Sequence, residues 1–433
     1  EGGAEAAELL EKLGPAAADR LAARWPELPA RGRRRGLKVL AHALPLETVR
    51  QRVLETAQSD DAELRERAIA VLARGGEPGR VGLRQLALVS GAAGDQAALA
   101  LANHVEELPA LLSALMTEGA ADRASLRKAL VIVERRDPGA ARAAATAWLD
   151  RAPSVSARAA LALSFASAGD RDFTATLADA HAPSAQSFED RYRFALALAS
   201  ATPSEPGNAW LTAQSEQADE WMQRSVALSA LVQRKASSVT AVAEKAALDA
   251  YPRVRANALE PLLSAGQAER IEAALSKDAW PLVRVEAARV LAARAESRPA
   301  LELAVADRSR LVRRAAIDAL AGGRRAEAWP RVRERLLVAD ESLEVREAAI
   351  AFARQLCLGE ARETLRSVAN KVLSPEASDE DSQAAVEALR ALHDLGGEAA
   401  KDGAGVVSKE GGPELKKLWD GLPTARCGGP PQA

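Results

Sequence analysis

Aromatic residues supply only 3% of this 433-residue chain, although hydrophobic residues reach 48%. The buried surface must therefore be built mainly from Ala, Leu and Val. Ala lets helix backbones approach closely and has the highest helix propensity, so this palette suits packed helices better than sheets. Long apolar runs are missing as well. None approaches the roughly 18 residues a membrane-spanning helix needs, so the expectation is a soluble protein. Nor does one sign of charge dominate: 58 Lys and Arg face 60 Asp and Glu, a formal net charge of −2. That balance argues against a global polyanion-binding surface and leaves room only for local basic patches.

Cysteine and histidine are equally scarce. Cys357 lies within a helical pattern and Cys427 in a Gly/Pro-rich tail, which gives neither a disulfide framework nor a metal spacing and points to a reducing compartment. His42, His104, His181 and His393 are far apart, so no metal site or cofactor is expected. A phosphate loop and a nucleophile elbow are absent. Gly403-Ala-Gly405-Val-Val-Ser resembles part of a dinucleotide fingerprint, but no strand precedes it and the last Gly is missing, so it reads as a flexible linker. Glu1 opens the chain without Met or a basic-then-apolar leader, so a processed product or a fragment is expected. The compartment stays open, with the cytoplasm favoured and export after signal removal as the other reading.

A chain this long exceeds one ordinary hydrophobic core, so it forms several domains or a core that grows by addition. Self-similarity decides for the second. Asp249-Ala-Tyr-Pro-Arg-Val254-Arg255, Asp278-Ala-Trp-Pro-Leu-Val283-Arg284, Asp307-Arg-Ser-Arg-Leu-Val312-Arg313 and Asp340-Glu-Ser-Leu-Glu-Val345-Arg346 follow one another at steps of 29, 29 and 33 residues. Ala258, Ala287, Ala316 and Ala349 lie four residues past each Val, and Leu262, Leu291, Leu320 and Ala353 four further on. Steps of four keep these side chains on one helical face, which reads as the core face. Each Asp is placed as an N-cap and Pro252 and Pro281 near the first turn, so the helix is expected to start just after the Asp.

Looser copies extend upstream, with the Val position taken by Leu64, Ala97, Leu126, Ala157, Asp190 and Gln223. The stretches between copies, such as 299–305 and 330–338, read as the partner helix of each pair, since about thirty residues hold two short helices and their turns. This divides the chain into an N-terminal helical cap at 1–50, an array of about ten repeats at 51–395, and a flexible Gly-rich tail at 396–433 with a short amphipathic helix near 413–420.

The Asp…Val-Arg-x-x-Ala-x-x-x-Leu pattern resembles HEAT-like repeats of the short bacterial, PBS-lyase type, strongly over 249–353 and more loosely over 60–248. The resemblance implies an all-α solenoid, a right-handed superhelix of antiparallel helix pairs. It also implies a ladder in which Asp249, Asp278, Asp307 and Asp340 bond with Arg255, Arg284, Arg313 and Arg346 between neighbouring repeats. Ala98 in place of Arg and Asp190 in place of an apolar residue depart from the pattern, so irregular junctions are expected there. Similar di-iron hydroxylases carry repeated His-Glu dipeptides, and none occurs in this sequence.

The remaining motifs have plain readings beside their functional ones. Arg31-Gly-Arg33-Arg34-Arg35 is the densest basic cluster, but its terminal place and the scattered tryptophans favour a solvated helix end over nucleic acid. Asp379-Glu380-Asp381 suits a helix N-terminus, where the macrodipole favours carboxylates. Trp280, Trp329, Trp210 and Trp221 read as packing at repeat junctions, with interface anchors as the alternative. A solenoid offers long surfaces without one deep pocket, so the expected function is a non-catalytic scaffold or adaptor binding a protein of unknown identity. Its candidate ridge is Asn257, Glu260, Glu286, Arg289, Arg314 and Asp318. The alternatives are a lyase-like or other enzyme-associated subunit, marked by a concave pocket with convergent polar groups, and a nucleic-acid-binding protein.

Overall fold

The computed structural model describes residues 14–117, 119–373, 377–410 and 412–427. Parts of the expected cap (1–13), of the expected array (118 and 374–376) and of the tail (411 and 428–433) lie outside the described residues. Those described form 26 α-helices with seven short 3₁₀ segments among them, and no strand. The fold is an all-α solenoid of adjacent helix pairs.

The chain divides into two compact units, Glu1–Ser238 and Val239–Ala433. The first holds α1 (Pro15–Ala23), α2 (Ala30–Ala41), α3 (Glu47–Ala57), α4 (Ala62–Arg74), α5 (Gly76–Ala87), α6 (Ala92–Leu101) and α7 (Leu108–Leu115), then α8 (Ala124–Arg136), α9 (Pro138–Leu149), α10 (Val155–Ala168), α11 (Arg171–His181), α12 (Phe188–Ser200), α13 (Glu205–Gln217) and α14 (Trp221–Gln233). The second holds α15 (Val239–Ala246), α16 (Pro252–Ser264), α17 (Ala268–Lys277), α18 (Pro281–Leu291), α19 (Arg298–Ala304) and α20 (Arg310–Gly322), then α21 (Trp329–Leu337), α22 (Leu343–Gln355), α23 (Arg362–Ala369), α24 (Asp379–Leu395), α25 (Gly397–Glu410) and α26 (Pro413–Asp420). The repeat frame runs through the division with its step unchanged, so periodicity alone does not reveal it.

Within each unit the even-numbered helices pack on one another in sequence and each packs on an odd-numbered neighbour, giving two layers. The motif explains why. In the second unit Val254, Ala258, Leu262, Val283, Ala287, Leu291, Val312, Ala316, Leu320, Val345, Ala349 and Ala353 are at most 1% exposed, forming one apolar face per even helix. Leu64, Ala97, Leu126 and Ala157 occupy the same buried position in the first unit, and the polar Asp190 and Gln223 are buried there too. The small Ala at the middle of each row lets successive helices come close, and each fully buried Leu contributes roughly 1.5–3 kcal/mol.

Helix starts take two forms. Asp61, Asp137, Ser154, Asp170, Ser187 and Ser204 are true N-caps, each accepting the N–H three residues on at 3.0–3.3 Å. The repeated Asp of the second unit is not. Tyr251, Trp280 and Ser309 hold the N-cap positions, and Asp249, Asp278 and Asp307 accept the N–H of those residues at 2.7, 2.9 and 2.7 Å. The Asp thus closes a turn two residues ahead of the cap instead of capping the helix. The helix therefore begins three residues after it.

Two expectations for the C-terminal end are corrected. The Gly-rich segment after Gly396 is helix α25, because Ala399, Val406 and Val407 make an apolar face that buries against the preceding helices. Its glycines have a packing reason at one point: a Cβ on Gly403 would stand 2.4 Å from the Trp419 ring. Trp419, on α26, lies edge-on to His393 of α24, with ring centroids 5.2 Å apart. The two cysteines form a disulfide, Cys357–Cys427, which joins the end of α22 to the segment beyond α26. Their separation of 70 residues hid the pairing, since docking of α23 to α26 is what brings them together. The inference of a reducing compartment loses its basis with it.

Candidate functional site

The Arg of each of the first three motifs works in two directions. Backward, Nη1 of Arg255, Arg284 and Arg313 donates to the carbonyls of Asp249, Asp278 and Asp307 at 2.8, 2.8 and 2.9 Å, six residues upstream. The same reach of six residues recurs in the first unit, from Arg65 to Ser59, Arg127 to Ala121 and Arg224 to Ala218. These bonds satisfy carbonyls in the turn before the helix, which would otherwise lack partners. Forward, Nε and Nη2 of Arg255 grip both carboxylate oxygens of Asp278 at 2.8 and 2.9 Å, and those of Arg284 grip Asp307 at 2.9 and 2.8 Å. Burial by itself would raise the Asp278 carboxyl, but the Arg255 guanidinium and the Trp280 N–H outweigh it and hold the group below its usual range.

At the next junction, Arg313 pairs with Glu341 at 2.5 Å, and the expected Asp340 stays exposed. Glu341 is 4% exposed and also takes Arg335 at 3.5 Å and the Ser342 N–H at 2.9 Å. The longer step before this repeat moves the carboxylate one residue along. Arg346 closes the series on Asp381 at 2.6 Å and Glu380 at 3.4 Å, in the first turn of α24, whose N-cap is Ser378.

The ridge candidates lie on the outward side of α16, α18 and α20. Arg289 on α18 bonds Glu286 at 2.6 Å and reaches Glu260 of α16 at 3.2 Å, so three of them form one exposed cluster. Arg314 and Asp318 approach each other at 3.6 Å along α20, and Asn257 is half-buried on α16.

Of the row at the helix starts, the sequence marked only Trp280, as junction packing with an interface anchor as the alternative. Tyr251, Trp280, Leu282 and Leu311 are exposed at corresponding ends of α16, α18 and α20, with Trp280 at 55%. Arg253, Arg308 and Arg310 stand exposed among them, and Arg308 Nη2 donates to the Ala279 carbonyl at 3.3 Å, tying one start to the next. Trp329 is 1% exposed and stacks on Phe352 with centroids 6.4 Å apart, as the packing expectation has it, whereas Trp280 departs from that expectation. Of the basic cluster on α2, Arg33 donates to the Pro26 carbonyl at 3.0 Å and Arg34 pairs with Glu63. Among the described residues no three His, Cys, Asp or Glu side chains gather as a metal site, and no helix is long and apolar enough to cross a membrane.

A cavity lies in the first unit. Glu134 of α8, Arg142 of α9, Phe165 of α10, and Asp170 and Asp172 at the start of α11 line a cavity of about 600 Å³. The chain turns there at Gly169, with φ +97°, and delivers Asp170 as the cap of α11.

Comparison with protein-family models and with curated proteins finds no match for this sequence. Solved structures of karyopherins, which are HEAT-repeat solenoids, do match the fold. The karyopherin Kap121p aligns at a TM-score of 0.54 and 12% identity, covering 91% of this chain and 53% of that one. Kap121p bound to the extreme C-terminus of the protein phosphatase Cdc14p gives 0.53 and 13%, covering 90% and 52%. Kap121p bound to the SUMO protease Ulp1p gives 0.52 and 12%, covering 91% and 52%. The chain thus spans about half the length of these structures, and at such identities the likeness is one of fold.

Proposed function

We propose that this chain is a non-catalytic scaffold or adaptor that binds another protein along its helical-repeat surface, and that its repeats are of the short PBS-lyase type. The observation that carries the reading is the exposed row of Tyr251, Trp280, Leu282 and Leu311, set among Arg253, Arg308 and Arg310. Aromatic and Arg side chains are the residues that most often anchor protein interfaces. A solenoid that repeats its helix starts at a fixed step turns single exposed side chains into a row. The cationic flanks match an acidic partner segment with apolar side chains. The ridge of Asn257, Glu260, Glu286, Arg289, Arg314 and Asp318 is the alternative contact, and the Asp/Arg ladder holds both surfaces in register. The fold shared with Kap121p, crystallised bound to the extreme C-terminus of Cdc14p and to Ulp1p, agrees with such a role.

Affinity capture with three forms of the chain tests this. A partner retained by the wild type and by Glu286→Lys plus Arg289→Glu, but lost by Trp280→Ala plus Leu311→Ala, supports the row. Loss only in the charge-reversed form moves the contact to the ridge. Retention of nothing by any form overturns the scaffold reading in favour of an enzyme-associated or nucleic-acid-binding one.

A further inference from the structure

The cavity in the first unit is built, not incidental. Its apolar wall comes from Pro138, Phe165 and Ala168, and its charged lining includes Glu134, Arg142 and Asp170. Glu134 is 2% exposed, and neither of its carboxyl oxygens has a hydrogen-bond partner. Buried polar atoms are ordinarily satisfied, so the orphaned carboxyl of a residue that lines a cavity is a group awaiting a partner.

The surrounding charges say which kind. Arg142 is committed to Asp170, with Nε and Nη2 at 2.5 and 2.6 Å from its oxygens. Arg135, on the same helix as Glu134, donates to the Ser167 carbonyl at 2.8 Å. Asp172 accepts the Thr202 hydroxyl at 2.5 Å, and Arg171 stands beside it at the rim. The charge that bears on Glu134 is the Asp170 carboxylate; burial first, and that carboxylate second, push the Glu134 carboxyl up to about 9. An anion is disfavoured at such a place, and no metal-binding cluster occurs among the described residues.

We propose that this cavity binds an aliphatic ammonium or guanidinium group, with the cationic head on Glu134 beside Asp170 and the alkyl stem along Phe165 and Pro138. The head displaces the Glu134 proton to solvent, so an uncharged carboxyl becomes the carboxylate of an ion pair. Both orphaned oxygens then gain donors. The proposal is independent of the protein-binding row, which lies in the other unit.

Calorimetric titration of the full chain with n-butylguanidinium, and separately with the blocked tripeptide acetyl-Gly-Arg-Gly-amide, tests the idea. The two probes separate a free small cation from an arginine side chain as the source. Binding of either is expected to release about one proton, read from two buffers of different ionisation enthalpy, and to tighten about tenfold from pH 7 to pH 8. Glu134→Gln keeps the shape of the neutral acid and is expected to weaken binding at least about tenfold, the loss of a charge-assisted partner. Absence of heat with both probes overturns the assignment. So does binding without proton release, or equal binding of the neutral pentanamide. Should the variant fail to fold, proton release and pH dependence of the wild type decide alone.

Discussion

Arg284 and Asp307 meet through two parallel hydrogen bonds of 2.9 and 2.8 Å across the junction between α18 and α20, with the guanidinium only 2% exposed. The same guanidinium holds the Asp278 carbonyl behind it at 2.8 Å. One side chain thus fastens its own turn and the next repeat.

Removing one partner of such a pair leaves a buried charge without compensation. Arg284→Ala is expected to destabilise the C-terminal unit by about 3–5 kcal/mol. Arg284→Lys should recover only part of this, since an ammonium cannot match both carboxylate oxygens in plane. Urea unfolding followed by circular dichroism measures both.

At the junction of the longer step, the buried Glu341 carries the contact with Arg313 and Arg335, while Asp340 is exposed. Glu341→Ala should cost about 2–4 kcal/mol and Asp340→Ala about 0.5 kcal/mol or less. Equal losses in the two variants would place the acidic contact at Asp340 after all.

The disulfide closes a segment with a sequence separation of 70 residues around the last helices of the second unit. A loop of that length corresponds to about 4 kcal/mol in the chain-entropy account, and measured losses run about 2–5 kcal/mol. Cys427→Ser is therefore expected to lower the unfolding midpoint of this unit. Thiol titration of the unreduced, denatured chain should find no free thiol.

Stability should depend on pH through Glu134. Its carboxyl is raised to about 9 in the folded chain, by burial and then by Asp170, so the folded state holds a proton that the unfolded chain releases above its ordinary value near 4.5. The stabilisation is complete below that ordinary value and is lost as pH rises toward 9, at about 1.4 kcal/mol per unit at most. Glu134→Gln removes the slope. Melting temperatures of the two forms across pH 5–9 should diverge upward in favour of the variant.

The repeat frame was legible because each even helix must present Val, Ala and Leu at steps of four to the same neighbours, and those steps survive in single-letter form. The pairing of Arg255 with Asp278 and of Arg284 with Asp307 was implied by the family resemblance and not by the spacing alone, which only repeats the two residue types at a fixed step. Glu341 was not, since a shift of one residue in a turn is invisible until the loop has a path. Trp280 and Trp329 look alike in sequence, each preceding a proline, yet one is exposed and one buried, because Trp329 opens an odd-layer helix whose ring meets Phe352. The Gly-rich segment after Gly396 misled for a different reason: composition weighed more than the spacing of Ala399, Val406 and Val407.

What the sequence by itself determined is therefore the local and periodic part: helices, their repeat and the apolar face of each, all set by contacts within or between adjacent repeats. Only the tertiary structure decided which side chains end in cavities, on rims or in a disulfide. Glu134 with Asp170, and Cys357 with Cys427, depend on how several helices dock before the pair can meet, and burial of a charge or closure of a loop is a property of that docking rather than of any short stretch of chain.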